Sequence, residues 1–252
     1  MEIALGLSAF LCFALGHPAS ALLLRCGLNA SVRFSPRAAL ALSAFASLCA
    51  AAAALIRRGG LRAAPASARW PALTCAFLGG TLGRSLLLMF VARFSGSLML
   101  ARLQAIPLLA LCLPALMPAR VGRKGEEPSF VSLCGICALC AAIDGFFGAG
   151  GLLMADALLP RPLVRHVRAP TSLALLTALG GQAGAILLTL CVGAAQVLPA
   201  RMLLGVALGA ALGALAAESI QKERGVPLKG MRIALKAYLS AAVLAMLEQA
   251  FL

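Results

Sequence analysis

Acidic residues are what this chain has least of. Eight Asp and Glu stand against 22 Lys and Arg in 252 residues, and only Asp144 and Asp156 are aspartates. Histidine occurs twice. Chemistry that gathers several carboxylates or imidazoles, whether general acid–base catalysis or metal binding, has little to draw on. Glu2, Glu126, Glu127, Glu218, Glu223 and Glu248 look peripheral to the apolar segments. No metal-ligand cluster and no nucleophile–base spacing appears, so no cofactor, metal or catalytic residue is expected. An intramembrane phosphatase or lipid-modifying enzyme is the enzyme-class alternative that this scarcity disfavours. Aromatic residues make up 5% of the chain and do not interleave with basic ones, so the +14 net charge does not point to nucleic acid. Charged residues are only 12%, about half the share of a soluble domain. No polar stretch is long enough to form a separate soluble domain.

What is abundant is apolar sequence, at 62% of residues with a mean hydropathy of +0.99. Apolar runs recur at 2–16, 18–25, 38–56, 70–92 and 97–117, and again at 130–147, 151–159, 170–193, 200–217 and 231–251. Runs of this length and number predict an all-α polytopic membrane protein whose partner is the lipid bilayer. Ala19-Ser20-Ala21 has the look of a signal-peptidase site. The residues before it carry Glu2 and no positive charge, so the segment is expected to remain in the mature protein. The nine cysteines lie mostly inside apolar runs. Cys134, Cys137 and Cys140 have iron–sulfur-like spacing but no suitable fourth ligand, and read as small packing residues.

The order of segments repeats: an interrupted run, then three continuous ones. Leu78 to Gly83 lines up with Leu208 to Gly213, Arg37-Ala38 with Arg168-Ala169, and Gly16 with Gly148, at offsets of 130, 131 and 132. Residues 1–118 and 130–252 are therefore expected to be two repeats joined by a charged linker at 119–129. Gly79, Gly83, Gly205, Gly209 and Gly213 recur at spacings of four and mark faces for close helix approach.

Charge placement bears on the interrupted segments. If each crosses the membrane once, the Lys and Arg outside the spans divide 12 against 8. If each dips in and returns, one side collects the loops at 57–69, 120–124, 161–168 and 222–236, and the split becomes 15 against 5. The positive-inside rule favours re-entry, with the richer side cytoplasmic. Three full spans per half then make the repeats inverted. Against this, residues 130–147 as a helix would reach about 27 Å, nearly the whole hydrocarbon thickness.

The second interruption, Asp144-Gly145-Phe146-Phe147-Gly148-Ala149-Gly150-Gly151, places four glycines in seven positions beside an acid. A helix that resumes after such a break points free N–H groups at the gap, which suits an anion. Gly148, Gly150 and Gly151 would let backbone approach a solute; the alternative is that they only allow tight packing. Arg84 sits well inside the run 70–92 and either binds an anion or pairs with Asp144. Arg102 snorkels. Asp144 is a proton-coupling candidate, or else a helix cap or an arginine partner. Asp156 reads as a cap or a solvated residue. At the first break, Leu15 to Ser20, His17 and Ser20 offer an imidazole and a hydroxyl, or merely satisfy local hydrogen bonds. Thr171 and Ser172 either cap the next helix or touch solute, and Gln182 either joins helices or lines a cavity.

Ile143 to Gly151 resembles the glycine-rich signature of the sulfite exporter TauE/SafE family. Ala169-Pro170-Thr171-Ser172 is similar to that family's small-hydroxyl pair, and Leu208 to Leu215 to its glycine-spaced third helix. The resemblance covers about residues 130–251, while the first half departs from it at Leu15 to Ser20. It implies a multi-pass protein of the plasma membrane that carries small organic or inorganic anions, often sulfur-containing, most simply as an exporter. A non-transporting membrane scaffold or degenerate paralogue is the alternative.

Overall fold

The computed structural model describes residues 1–31, 33–93, 102, 104–111, 129–159, 171–193, 198–224 and 229–251. The charged linker up to residue 128 and the whole basic loop at 161–168 thus lie outside the described residues. Every regular element among those described is helical: α1 (Glu2–Ala14), α2 (Ser20–Ala30), α3 (Pro36–Arg57), a short 3₁₀ turn (Gly60–Ala63), α4 (Ala66–Arg93), α5 (104–111), α6 (Phe130–Phe147), α7 (Gly151–Leu158), α8 (Ser172–Cys191), α9 (Ala200–Arg224) and α10 (Lys229–Phe251). Five of them, α3, α4, α6, α8 and α9, are long and apolar enough to cross a membrane.

Helix boundaries follow local chemistry. Ser35, Ser129 and Thr171 cap α3, α6 and α8 by accepting the amides of Ala38, Ser132 and Ala174. Pro36 follows the first cap in the opening turn, where its missing N–H costs nothing. Both interruptions turn on a glycine with positive φ, Gly16 at 61° and Gly148 at 74°. At those angles any other residue would be strained.

Small residues set the packing directions. Gly79 and Gly83 of α4 rest on Ala138 and Ala142 of α6. Gly180, Gly181 and Gly184 of α8 meet Leu73, Ala141 and Phe77, and Gly80 abuts Gly181. Residue numbers rise together across each pair, so α4, α6 and α8 run parallel. Gly205, Gly209 and Gly213 of α9 meet Glu2, Gly6 and Phe10 of α1, so those two also run parallel. Arg58, just after α3, pairs with Glu218 late in α9, which sets α3 parallel to α9. Gly148, at the end of α6, lies on Leu40 and Ser43 near the start of α3, so α3 opposes α6. The molecule therefore contains two sets of three helices of opposite direction: α1, α3, α9 and α4, α6, α8. In each set the glycine-spaced helix comes from the other half of the chain. At these crossings backbone touches backbone, and a methyl added at Gly80 would overlap the Gly181 carbonyl.

α7 does not continue α6. Gly151 packs against the Cys140 carbonyl and the Asp144 carboxyl, one to two turns back from the end of α6. Further on, Asp156 accepts the Thr171 amide at 3.0 Å. Thr171 opens α8, whose Thr177, six residues on, stands beside Cys137, seven residues into α6, at 3.3 Å. α7 therefore returns to the end of the molecule from which α6 sets out. α2 does the same in the first half, bringing Arg25 to the Pro36 carbonyl at the head of α3.

Candidate functional site

At the second break, the Gly148 amide closes α6 on the Asp144 carbonyl at 2.7 Å. The Asp144 side chain then crosses the gap, and its Oδ1 accepts the Gly151 amide at 2.7 Å. Asp144 thus caps α7, one of the roles open to it from sequence. This modifies the expected use of Gly151, because the first amide of α7 is already held by a carboxylate. Gly148 faces Leu40 and Ser43, and Gly150 faces Leu111. Asp144 Oδ2 is buried and has no hydrogen-bond partner.

Arg84 lies alongside. Its backbone nitrogen borders Gly145, its side chain is 4% exposed, and its buried Nε has no partner. No ion pair joins it to Asp144; among the described residues the one ion pair is Arg58 with Glu218. Leu87, one turn on, packs with Leu40, Val91 and Phe146, tying this part of α4 to the head of α3 and the end of α6.

Arg25 ends the apolar run 18–25 and counts in sequence among the charges outside the spans. The structure corrects this: Arg25 is fully buried. It donates to the Pro36 carbonyl at 3.0 Å and to Gln104 Oε1 at 2.6 Å, while its Nε is unpartnered. It stands within electrostatic reach of Arg84. The missing signal was distant, since Gln104 is 79 positions away. Only the hairpin fold shows that α2 returns inward instead of leaving at Arg25.

The remaining polar residues separate into other places. Gln182 is fully buried with both side-chain polar atoms unpartnered, next to Gly181 on the α6 face of α8. Thr171 caps α8 by accepting the Ala174 amide at 3.2 Å, with Ser172 following half-buried in the first turn. Both belong to the far end of α8, away from Arg84. Asp156 is buried against the Thr171 amide, so a cap and not a solvated group. Arg102 is exposed. Cys137 and Cys140 are buried and unbridged.

At the first break, His17 Nδ1 accepts the Ala19 amide at 3.1 Å and the His17 carbonyl accepts the Ser20 hydroxyl at 2.6 Å. Both residues line a cavity of about 440 Å³, mouth included, with Ser47, Ala54, Leu175 and Glu218. Glu218 is therefore not peripheral: it edges this cavity, paired with Arg58. The cavity meets α3 at Ser47 to Ala54, whereas the second break meets it at Leu40 to Ser43. The nearest points, Ser43 and Ser47, are one turn or about 6 Å apart along the helix. The two breaks thus meet α3 on successive turns.

Compared with known protein families, curated proteins and solved structures, the chain matches none.

Proposed function

We propose that this protein is a transporter, most simply an exporter, of small anions across the cell membrane, built as two inverted repeats. The observation that carries the reading is Arg84, a guanidinium buried deep within a 28-residue apolar helix and in no ion pair among the described residues. On insertion scales an arginine at such depth costs about 2.5–3.5 kcal/mol, and it is kept where it meets a partner or a solute. The break beside it, where Gly148 and Gly150 turn the chain with positive φ and Asp144 holds a second unpartnered oxygen, is the candidate for the rest of a solute site. Asp144 is the candidate for proton coupling.

The repeat reading is supported by contacts that exchange under the sequence offset. Gly79 on Ala138 corresponds to Gly209 on Gly6, and Gly83 on Ala142 to Gly213 on Phe10. The doubling back of α7 and α2 supports re-entrant segments, with three full spans in each half. That topology gathers the loops around Arg58, Arg123, Arg165 and Lys222 on one side, which the positive-inside rule makes the cytoplasm. The resemblance of Ile143 to Gly151 to the TauE/SafE signature points the same way, toward sulfite, sulfonates or related anions. Flux of these anions in liposomes holding the purified protein tests the reading. Flux is expected with the native chain and is lost in Arg84→Gln, still monodisperse. Flux equal to empty liposomes for every anion would favour a membrane scaffold instead.

A further inference from the structure

Arg25 has no role in the reading above, yet it is the most deeply buried charge in the described chain. We propose that Arg25 and Arg84 hold one singly charged oxyanion between them, so that Arg25 is a second ligand-binding residue. This rests on the anion-transport reading and narrows it to a chemical class.

The two arginines reach one place from different elements. Arg25 is fixed at the head of α3 by the Pro36 carbonyl. Leu40, one turn further along α3, packs on Leu87, one turn beyond Arg84. Gly148 closes on Leu40 and Ser43 from the third side. Arg25 also lies within the electrostatic reach of Arg84, a repulsive pairing that nothing among the described residues bridges.

Donor counting shows what is left over. A guanidinium has five N–H donors. Arg25 commits one from each terminal nitrogen, to Pro36 and Gln104, and its buried Nε has no partner. These two bonds fix the orientation of the fork without using up its donors. Arg84 commits none. Planar guanidinium forks match an anion that spreads its charge over two or three oxygens, such as a sulfonate or carboxylate, better than a spherical halide.

Charge counting sets the valence. With Asp144, the acid beside Gly145 and Gly148, in its ionised state, the two guanidinium groups leave one positive charge in a buried place. A singly charged ligand neutralises it, and a dianion overshoots. A phospholipid phosphate has the same chemistry as a free oxyanion, so the test must separate the two sources.

Thermal unfolding of the detergent-purified full chain makes the measurement, using sodium methanesulfonate, acetate, chloride and sulfate, and phosphatidylglycerol in the micelles. Methanesulfonate and acetate are expected to raise the Tm by about 5 °C at saturation. Chloride should not raise it, and sulfate should bind more weakly. Arg25→Lys and Arg84→Lys keep the charge but lose the fork, and each should weaken binding by ~10-fold. Arg33→Gln, an exposed control, should not. Arg25→Lys serves as the folding-safe partner of Arg25→Gln, because a lysine can still reach Pro36. Native affinity in both Arg25 variants, with loss in Arg84→Lys, overturns the role of Arg25 and leaves the transport reading standing. Chloride or sulfate binding as tightly as methanesulfonate overturns the ligand class. A shift with phosphatidylglycerol and none with soluble anions overturns the solute. No shift with any of them in a folded protein counts against the transport reading as well.

Discussion

Arg84→Met separates a bound-solute arginine from a structural one. Met fills similar space without a charge, and replacing even paired buried charges by packed apolar residues is often neutral or stabilising, by about 1–4 kcal/mol. The Tm of the variant is expected to equal or exceed that of the native chain, while anion flux disappears; a drop in Tm would show that Arg84 holds the fold. Asp144 gives the opposite sign. Asp144→Ala removes the acceptor of the Gly151 amide and should cost about 1–2 kcal/mol in thermal unfolding, whereas Asp144→Asn keeps an acceptor oxygen and should cost less. At this scale the sequence was partly legible. Arg84 and Asp144 stand out as charges inside apolar runs. Arg25 does not, because it ends a short run and its burial depends on Gln104, far along the chain.

Helix by helix, periodicity carried most of the information. The apolar run at 130–147 coincides with α6, and 38–56 and 170–193 match α3 and α8 to within two residues. Capping explains why: Ser129, Ser35 and Thr171 are start signals that a reader can see. α9 extends past 217 to Arg224 because polar residues continue a helix that apolar periodicity no longer marks. The folding back of α7 was beyond periodicity, since it depends on Gly148 and Gly150 adopting positive φ and on Asp144 bridging the gap. Glycines that read alike in sequence should answer differently to substitution. Gly80→Ala meets the Gly181 backbone and should destabilise by about 1–3 kcal/mol or prevent folding. Gly135→Ala meets nothing within 4 Å and should stabilise by roughly 0.5–1 kcal/mol. Parallel thermal-unfolding curves check both.

For the whole molecule, the inverted arrangement predicts where each end lies. In a chain otherwise stripped of cysteine, Glu2→Cys should react with an impermeant maleimide from outside intact cells. Arg62→Cys, in the turn between α3 and α4, should react only after the membrane is opened. Labelling of both from one side would sink the topology. The exchange of glycine helices also has a consequence in time. α1 packs on α9, whose Gly205 to Gly213 leave the ribosome some 200 residues later. At about 5–20 residues per second, the first hairpin waits roughly 10–40 s for its partner. During that wait the Gly6 face of α1 has no backbone to rest on. A chain stopped after residue 118 should therefore leave α1 open to protease, and co-expressed 130–252 should restore its protection. Biogenesis, and not only stability, would then be a joint property of the two halves.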